Sequence, residues 1–379
     1  MADYDLTRLK NLMRRAAAGE ELTIGFLGGS ITQGSLATEH KNTYAYRVFT
    51  WWKETFPNAE FHYVNGGIGG TTSHFGVARA VSDVLMYQPD FVGIDFSVND
   101  EPNEFFKETY EGVLRKVFTW SSAPAVLLLN NVYYDTGINA QEQHIAVGDW
   151  YGIPHVSIKD TLYRQMKEGM YTREELTPDG LHPNDKGHGL VAAEIIRFLE
   201  SVRNNLNEEM KAGELNGNEE NIEAHQLEKK EKDVFPVPLT ANAYENARRL
   251  TIRECSPKLE GFRADTREKQ GHLDCFKNGW IGKKNGDRIT FEVEASCIAI
   301  QYRKTIKRPA QKAVLVLDGD AEHAILLDGN FEENWGDCLY LQPILHHGIQ
   351  KKHTVEITIT DQDATQVKTP FYLLSLIVA

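Results

Sequence analysis

The sequence predicts a three-layer α/β/α domain with a parallel sheet, followed by a C-terminal all-β sandwich. Three observations carry this. Over residues 21–200, short apolar runs alternate with stretches of helical period, which marks βαβ units and a sheet covered on both faces. After residue 240 the apolar period shortens to two, with turn residues between the runs. Between them, residues 201–233 hold nine acidic and five basic residues and no Pro, Phe, Trp or Tyr, too polar to bury much surface. The expected division is 1–200 for the α/β domain, 201–239 for a charged linker that is helical at most in part, and 240–379 for the sandwich.

In chain order, residues 6–17 read as a charged amphipathic helix. Strands are expected at 22–27, 61–64, 91–96, 125–129 and 155–158, and helices at 44–56, 72–85, 105–119, 140–151 and 186–202. Asn184 is placed to cap the last helix, because its side chain can accept a free backbone N–H. Phe235-Pro236-Val237-Pro238 closes the linker as a stiff, extended segment. In the sandwich, residues 288–294, 298–302, 313–318, 323–327 and 354–360 alternate apolar and polar. Asp318-Gly319-Asp320 and Asp328-Gly329-Asn330 supply turns, and residues 371–378 read as a fully buried strand.

With 379 residues the chain is long enough for two domains, each with its own core. A net charge of −13 argues against a nucleic-acid partner, which needs a basic face. No stretch approaches the roughly 20 apolar residues of a membrane helix, and the first residues lack a signal-peptide pattern. The four cysteines lie in the last third without CxxC spacing and read as reduced thiols, so a cytoplasmic location is expected.

Four motifs carry the chemistry, and three of them follow predicted strands. They are Gly28-Gly29-Ser30-Ile31, Asn65-Gly66-Gly67-Ile68-Gly69-Gly70, Ser97-Val98-Asn99-Asp100 and Asp179-Gly180-Leu181-His182. Ligands bind outside the carboxyl ends of strands in open α/β sheets, so these loops should converge. A serine hydroxyl becomes a nucleophile only when a base takes its proton. Asp179 and His182, three residues apart in one turn, can form such a base, the carboxylate fixing the tautomer that faces Ser30. Acyl transfer creates an oxyanion, which the backbone N–H groups of Ser30 and Gly70 and the Asn99 amide would bind. Each motif also has a plainer reading as a turn, an Asx motif or a helix cap. The Gly28-Gly29 pair resembles phosphate-cradling loops, yet no GxGxxG or P-loop pattern follows. The H-E-x-x-H metal signature is also absent, so neither metal nor cofactor is expected. Asp95, a carboxylate within an apolar strand, needs partners and reads as support for the site loops, and Asp100 reads as structural.

In this order the blocks resemble the SGNH (GDSL-type) hydrolase superfamily over about residues 20–200. The resemblance implies a flavodoxin-like fold and a serine esterase, with Ser30 as nucleophile, His182 as base supported by Asp179, and Gly70 and Asn99 as oxyanion donors. Two positions depart from the family pattern: Gly29 stands where an Asp is usual, and Ser97 where a Gly often precedes x-Asn-Asp. The Gly-Gly-Ser start is similar to the carbohydrate-esterase branch, and the appended sandwich resembles that of two-domain acetylmannan esterases.

The expected substrate is therefore an acetylated oligosaccharide of mannan or xylan type, cleaved without a cofactor. The polar loops 35–42 and 131–139, with Tyr133 and Tyr134, are expected to line the site. Trp280 and Trp335 are candidate stacking platforms for sugar rings, with a core position the alternative for Trp280. A lysophospholipase or short-acyl esterase is the rival enzyme, and a non-catalytic carbohydrate-binding protein the rival outside enzymes. Neither the sugar nor the oligomeric state is legible.

Overall fold

The computed structural model describes residues 4–215, 235–360 and 366–379. The chain divides into two compact units, one of residues 1–76 and 80–242, the other mainly of residues 243–379.

The first unit is built on strands β1 (Glu21–Gly28), β2 (Glu60–Gly67), β3 (Phe91–Asp95), β4 (Ala125–Asn130) and β5 (His155–Ser157). They form one sheet in the order β2-β1-β3-β4-β5, every neighbouring pair parallel. Strands β3 and β4 are buried along their whole length, which is why they read as unbroken apolar runs. The helices are α1 (Thr7–Ala17), α2 (Ser30–Gln33), α3 (Tyr44–Thr55), α4 (Ser73–Asp83), α5 (Glu104–Phe118), α6 (Gln141–Trp150), α7 (Arg164–Lys167), α8 (Arg173–Leu176) and α9 (Asp185–Leu215). Leu12, Val48, Trp52, Ile195 and Leu199, from α1, α3 and α9, pack on Ile24, Phe26 and Leu127 in one core. On the opposite face Val84 lies against Gly25, and Gly148 of α6 lies against Leu128.

Two expectations about the end of this unit are corrected. Residue 200 is not a boundary: α9 continues to Leu215, and Leu199, Val202 and Leu206 keep an apolar stripe in the core. The charges counted as linker between 201 and 212 lie on a packed helix, with Lys10 of α1 paired to Glu209 at 2.5 Å. The end of the linker, though exposed at residues 236–238, is bound to the first unit. Phe235 stacks on Tyr151 and Phe118 with centroids 5.0 and 5.2 Å apart. Arg115 donates to the Pro236 carbonyl and Trp150 Nε1 to that of Val237. The Glu111 carboxylate accepts the Leu239 and Thr240 N–H groups at 2.6 and 2.8 Å. The rest of the expected linker, residues 216–234, lies outside the described residues.

The second unit contains β6 (Arg248–Leu250), β7 (Lys258–Glu260), β8 (Arg263–Ala264), β9 (Trp280–Gly282), β10 (Arg288–Ala295), β11 (Ile298–Lys304), β12 (Lys312–Leu317), β13 (Ile325–Asp328), β14 (Cys338–Leu345), β15 (Lys351–Ile359) and β16 (Phe371–Val378). Two antiparallel sheets, β13-β12-β15-β10-β7 and β14-β11-β16-β9-β8, enclose a core that includes Trp280, Phe291, Leu315, Ile357 and Leu373. β6 adds to β16. Strand β14 was not visible in the alternation because Pro343 interrupts it. It is an edge strand opposite a register shift at Ile298/Ala299, where a missing N–H is tolerated.

Candidate active site

Register brings three of the four motifs to one edge of the parallel sheet. Gly28 at the end of β1 pairs with Gly67 of β2 on one side and Asp95 of β3 on the other. The loops that follow therefore leave the sheet side by side. Ser30 opens the single turn α2 directly after β1. The glycine before it is dictated by contact: a Cβ on Gly29 would stand 2.1 Å from Asn99 Oδ1. The departure from the usual Asp at this position is thus tied to the seat of the Asn99 side chain. Gly70 has φ +66°, a left-handed conformation that favours glycine, and its loop passes beside the nucleophile, the Gly69 Cβ direction pointing 3.5 Å from Ser30 Cβ.

The fourth motif arrives from the far end of the unit. His182 Nε2 lies 2.8 Å from Ser30 Oγ, and His182 Nδ1 lies 2.7 Å from Asp179 Oδ2. Asp179 Oδ1 accepts three more hydrogen bonds, from Leu181 N, His182 N and Thr177 Oγ1. Partial burial alone would raise this carboxyl. The His182 and backbone donors outweigh it and hold it down at about 2, so the carboxylate is charged at neutral pH. The pair can orient the imidazole, which can take the serine proton. Among the described residues, neither the Gly70 N–H nor the Asn99 side-chain amide is engaged elsewhere.

A buried network holds α2 in place. Asp95 Oδ2 accepts from Asn131 Nδ2 at 2.9 Å and Thr32 Oγ1 at 3.2 Å, and Thr32 Oγ1 also meets the Tyr44 hydroxyl at 2.7 Å. Burial pushes the Asp95 carboxyl up to about 7 against these donors. Asn65 reaches back from β2 to donate to the Thr32 carbonyl, and Gln33 Oε1 accepts the Gly69 N–H. Of these residues only Asp95 and Asn65 carried a signal in the sequence. Thr32, Gln33, Tyr44 and Asn131 had none, since an ordinary polar side chain near a motif does not announce its partner.

The remaining expectations divide. Loop 35–42 is clasped to the start of α9, where Asp185 accepts from Thr38 N at 2.8 Å and Asn42 Nδ2 at 2.9 Å. His188 on the same helix donates to the Ser35 carbonyl, and burial lowers its imidazole to about 4. Asn184 caps α9 as expected, its Oδ1 accepting the Gly187 N–H at 3.0 Å. Tyr133 is exposed, but Tyr134 is a core residue whose backbone N–H binds the Gly180 carbonyl, so it supports the Asp179–His182 turn and lines nothing. Trp280 is only 1% exposed and packs edge-on against Phe291, which removes it as a sugar platform. Trp335, in the second unit, is 55% exposed, with its ring on Phe331 and its Nε1 donating to Glu333.

Residues 26–190 match the model of the GDSL-like Lipase/Acylhydrolase family. A two-domain esterase (CEX) active on acetylated mannans, co-crystallised with mannopentaose, is 47% identical, with a TM-score of 0.90 over 100% of this chain and 95% of that one. The chain belongs to the GDSL-like acylhydrolase family. A second structure of the same esterase matches over 99% of this chain with the same identity and TM-score. No curated protein matches the sequence. This acylhydrolase is accordingly a carboxylic ester hydrolase, with its parallel sheet and its antiparallel sandwich both matched in the esterase. No helix among the described residues is long and apolar enough to cross a membrane.

Proposed function

We propose that this acylhydrolase removes O-acetyl groups from oligosaccharides of acetylated mannan or xylan type. The observation that carries the reading is the Ser30–His182–Asp179 chain of contacts at 2.8 and 2.7 Å. It sits in a protein whose full-length relative acts on acetylated mannans. Ser30 Oγ attacks the acetyl carbonyl as His182 Nε2 accepts its proton. The tetrahedral oxyanion is met by the Gly70 N–H, the Ser30 N–H and the Asn99 amide. Its collapse expels the sugar oxygen, which takes the proton back from His182, and leaves acetyl-Ser30. Water, deprotonated by His182, then attacks the acetyl group, releasing acetate and restoring Ser30. Every proton moves through one imidazole, so the cycle is complete without a redox or phosphate group.

The second unit is read as a carbohydrate-binding module, with Trp335 offering an indole face to the C–H face of a sugar ring. Its exposure within a polar loop supports this. The free state of all four cysteines is in keeping with a cytoplasmic location, which cell fractionation tests. Mass-spectrometric deacetylation of acetylated mannan, xylan and chitin oligomers tests the substrate. Loss of acetyl from mannan or xylan oligomers is expected. Cleavage of lysophospholipid with no action on any sugar would overturn the assignment.

A further inference from the structure

Behind the loops that carry Asn99 and Gly70 lies a polar pair that the proposed chemistry does not use. The side chains of Asp100 and His144 are both fully buried. Asp100 Oδ1 accepts the backbone N–H of Ser73 at 2.8 Å, and Oδ2 faces His144 Nε2 at 3.1 Å. Carboxylate oxygens accept, so the imidazole donates from Nε2. Nδ1 has no hydrogen-bond partner among the described residues. Tyr110 lies flat on the ring, centroids 3.5 Å apart and planes 2° apart, which leaves the imidazole little freedom to turn.

The chain positions give this pair its meaning. Asp100 is the neighbour of Asn99, and Ser73 stands three residues after Gly70 as the first residue of α4. One carboxylate therefore ties together the two loops that present the Gly70 N–H and the Asn99 amide. Its other oxygen is anchored to α6, whose approach also supplies the Ala140 N–H to the Ser97 carbonyl of the same loop. The Ser73 hydroxyl fixes the near end of α4 to Thr109 of α5 at 2.6 Å. A buried carboxylate is costly to desolvate, and apolar packing would hold two loops together at less cost. What a hydrogen-bonded carboxylate adds is direction, and oxyanion donors act only when aimed.

We infer that the Asp100–His144 pair is a positioning device that sets the Gly70 and Asn99 donors relative to each other. It rests on the reading of those two groups as oxyanion donors. Neither Asp100 nor His144 touches the substrate. Their effect should fall on the transition state alone.

The test is His144→Phe, which keeps an aromatic ring on Tyr110 and removes the donor, beside Asp100→Asn, which keeps the carboxyl shape. With p-nitrophenyl acetate, kcat should fall on the order of tenfold to a hundredfold in His144→Phe while KM is unchanged, as expected for misplaced groups. Binding of phenylboronic acid, whose tetrahedral serine adduct presents an oxygen to the same donors, should weaken by a comparable factor. The double variant should lose no more than the worse single one, because the two side chains act as a unit. Unfolding curves set the fraction of folded protein in each assay. A kcat within twofold of the parent, or a loss matched by the unfolded fraction alone, overturns the proposal. Asp100→Asn decides by the same criteria if His144→Phe does not fold. An active Ser30→Ala would sink the serine-esterase reading itself, whereas an inactive Ser30→Ala with full activity in both pair variants sinks only this inference.

Discussion

The two units of the chain place their buried polar groups differently. In the second, strands such as β10 and β15 alternate buried and exposed positions, so most of their polar side chains face water, and buried ones such as Gln301 and Ser375 bond each other across neighbouring strands. In the first, β3 and β4 are buried on both faces, yet Asp95, Asn131 and Asp100 lie inside at the ends of strands and in the following loops, with His144 of α6 bonded to Asp100. A sandwich can place its polar residues on the outer faces of its sheets. A parallel sheet covered on both sides has only its strand ends for that purpose, and there this protein gathers hydrogen-bonded acids and amides behind Ser30. The buried polar groups thus mark where the chain needs direction rather than adhesion.

The comparison breaks most severely if the strand-end loops do no chemistry. Ser30→Ala should reduce turnover by roughly 10⁶ while the unfolding temperature stays within a few degrees, since little volume is lost. Steady-state kinetics on p-nitrophenyl acetate reads this, and a variant keeping a tenth of parent activity would remove Ser30 from the mechanism. A serine-directed phosphonate should label the parent at Ser30, as located by peptide mass spectrometry.

Next in size is Asp179→Asn, which keeps the turn but exchanges an acceptor for an amide against His182 Nδ1. The expected loss in kcat is about 10⁴, from an imidazole held in the wrong tautomer. A loss under tenfold would mean that the turn itself, rather than its charge, positions His182.

Trp335→Ala addresses the second unit. The ratio of kcat/KM on acetylated mannan oligomers to that on p-nitrophenyl acetate should fall roughly tenfold, the value of one aromatic contact. Equal losses on both substrates at an unchanged unfolding temperature would leave the sandwich without a part in substrate choice.

The smallest effect concerns Asp95, whose carboxyl is raised from 3.8 in the open chain to about 7 in the fold by burial. Between those values the folded protein binds the extra proton, so the contribution of Asp95 to stability declines as pH rises from about 4 to 7 and levels off above. His188, lowered by burial to about 4, acts in the other direction across most of that window, and Asp179, held at about 2, acts in the other direction below it. Asp95→Asn should therefore shift the slope of unfolding temperature against pH toward more positive values between pH 4 and 7. An unchanged slope would mean that Asp95 does not carry the proton.

Much of this organisation is local and was legible without coordinates. Strand periods, the three-residue spacing of Asp179 and His182, and glycines after apolar runs all act within a few residues. That is enough to set the parallel sheet, its loops and a turn in which a carboxylate meets its own imidazole. The largely apolar run of β16, Phe371–Val378, marked a buried strand for the same reason. What had no local signal depended on residues far apart in the chain. Ser30 and His182 are 152 positions apart, and the packing of α9 on α1 and α3, with the Tyr134 bond to Gly180, brings the turn onto the nucleophile. Two tryptophans took opposite fates: Trp280 entered the core because β9 pairs with β16, and Trp335 stayed outside in the loop between β13 and β14. His144 gave no hint of Asp100, which lies 44 residues earlier. Patterns of period and turn specify what a segment can become, but a buried polar side chain is satisfied only by the partner that the folded chain delivers, and that delivery is a property of the whole unit.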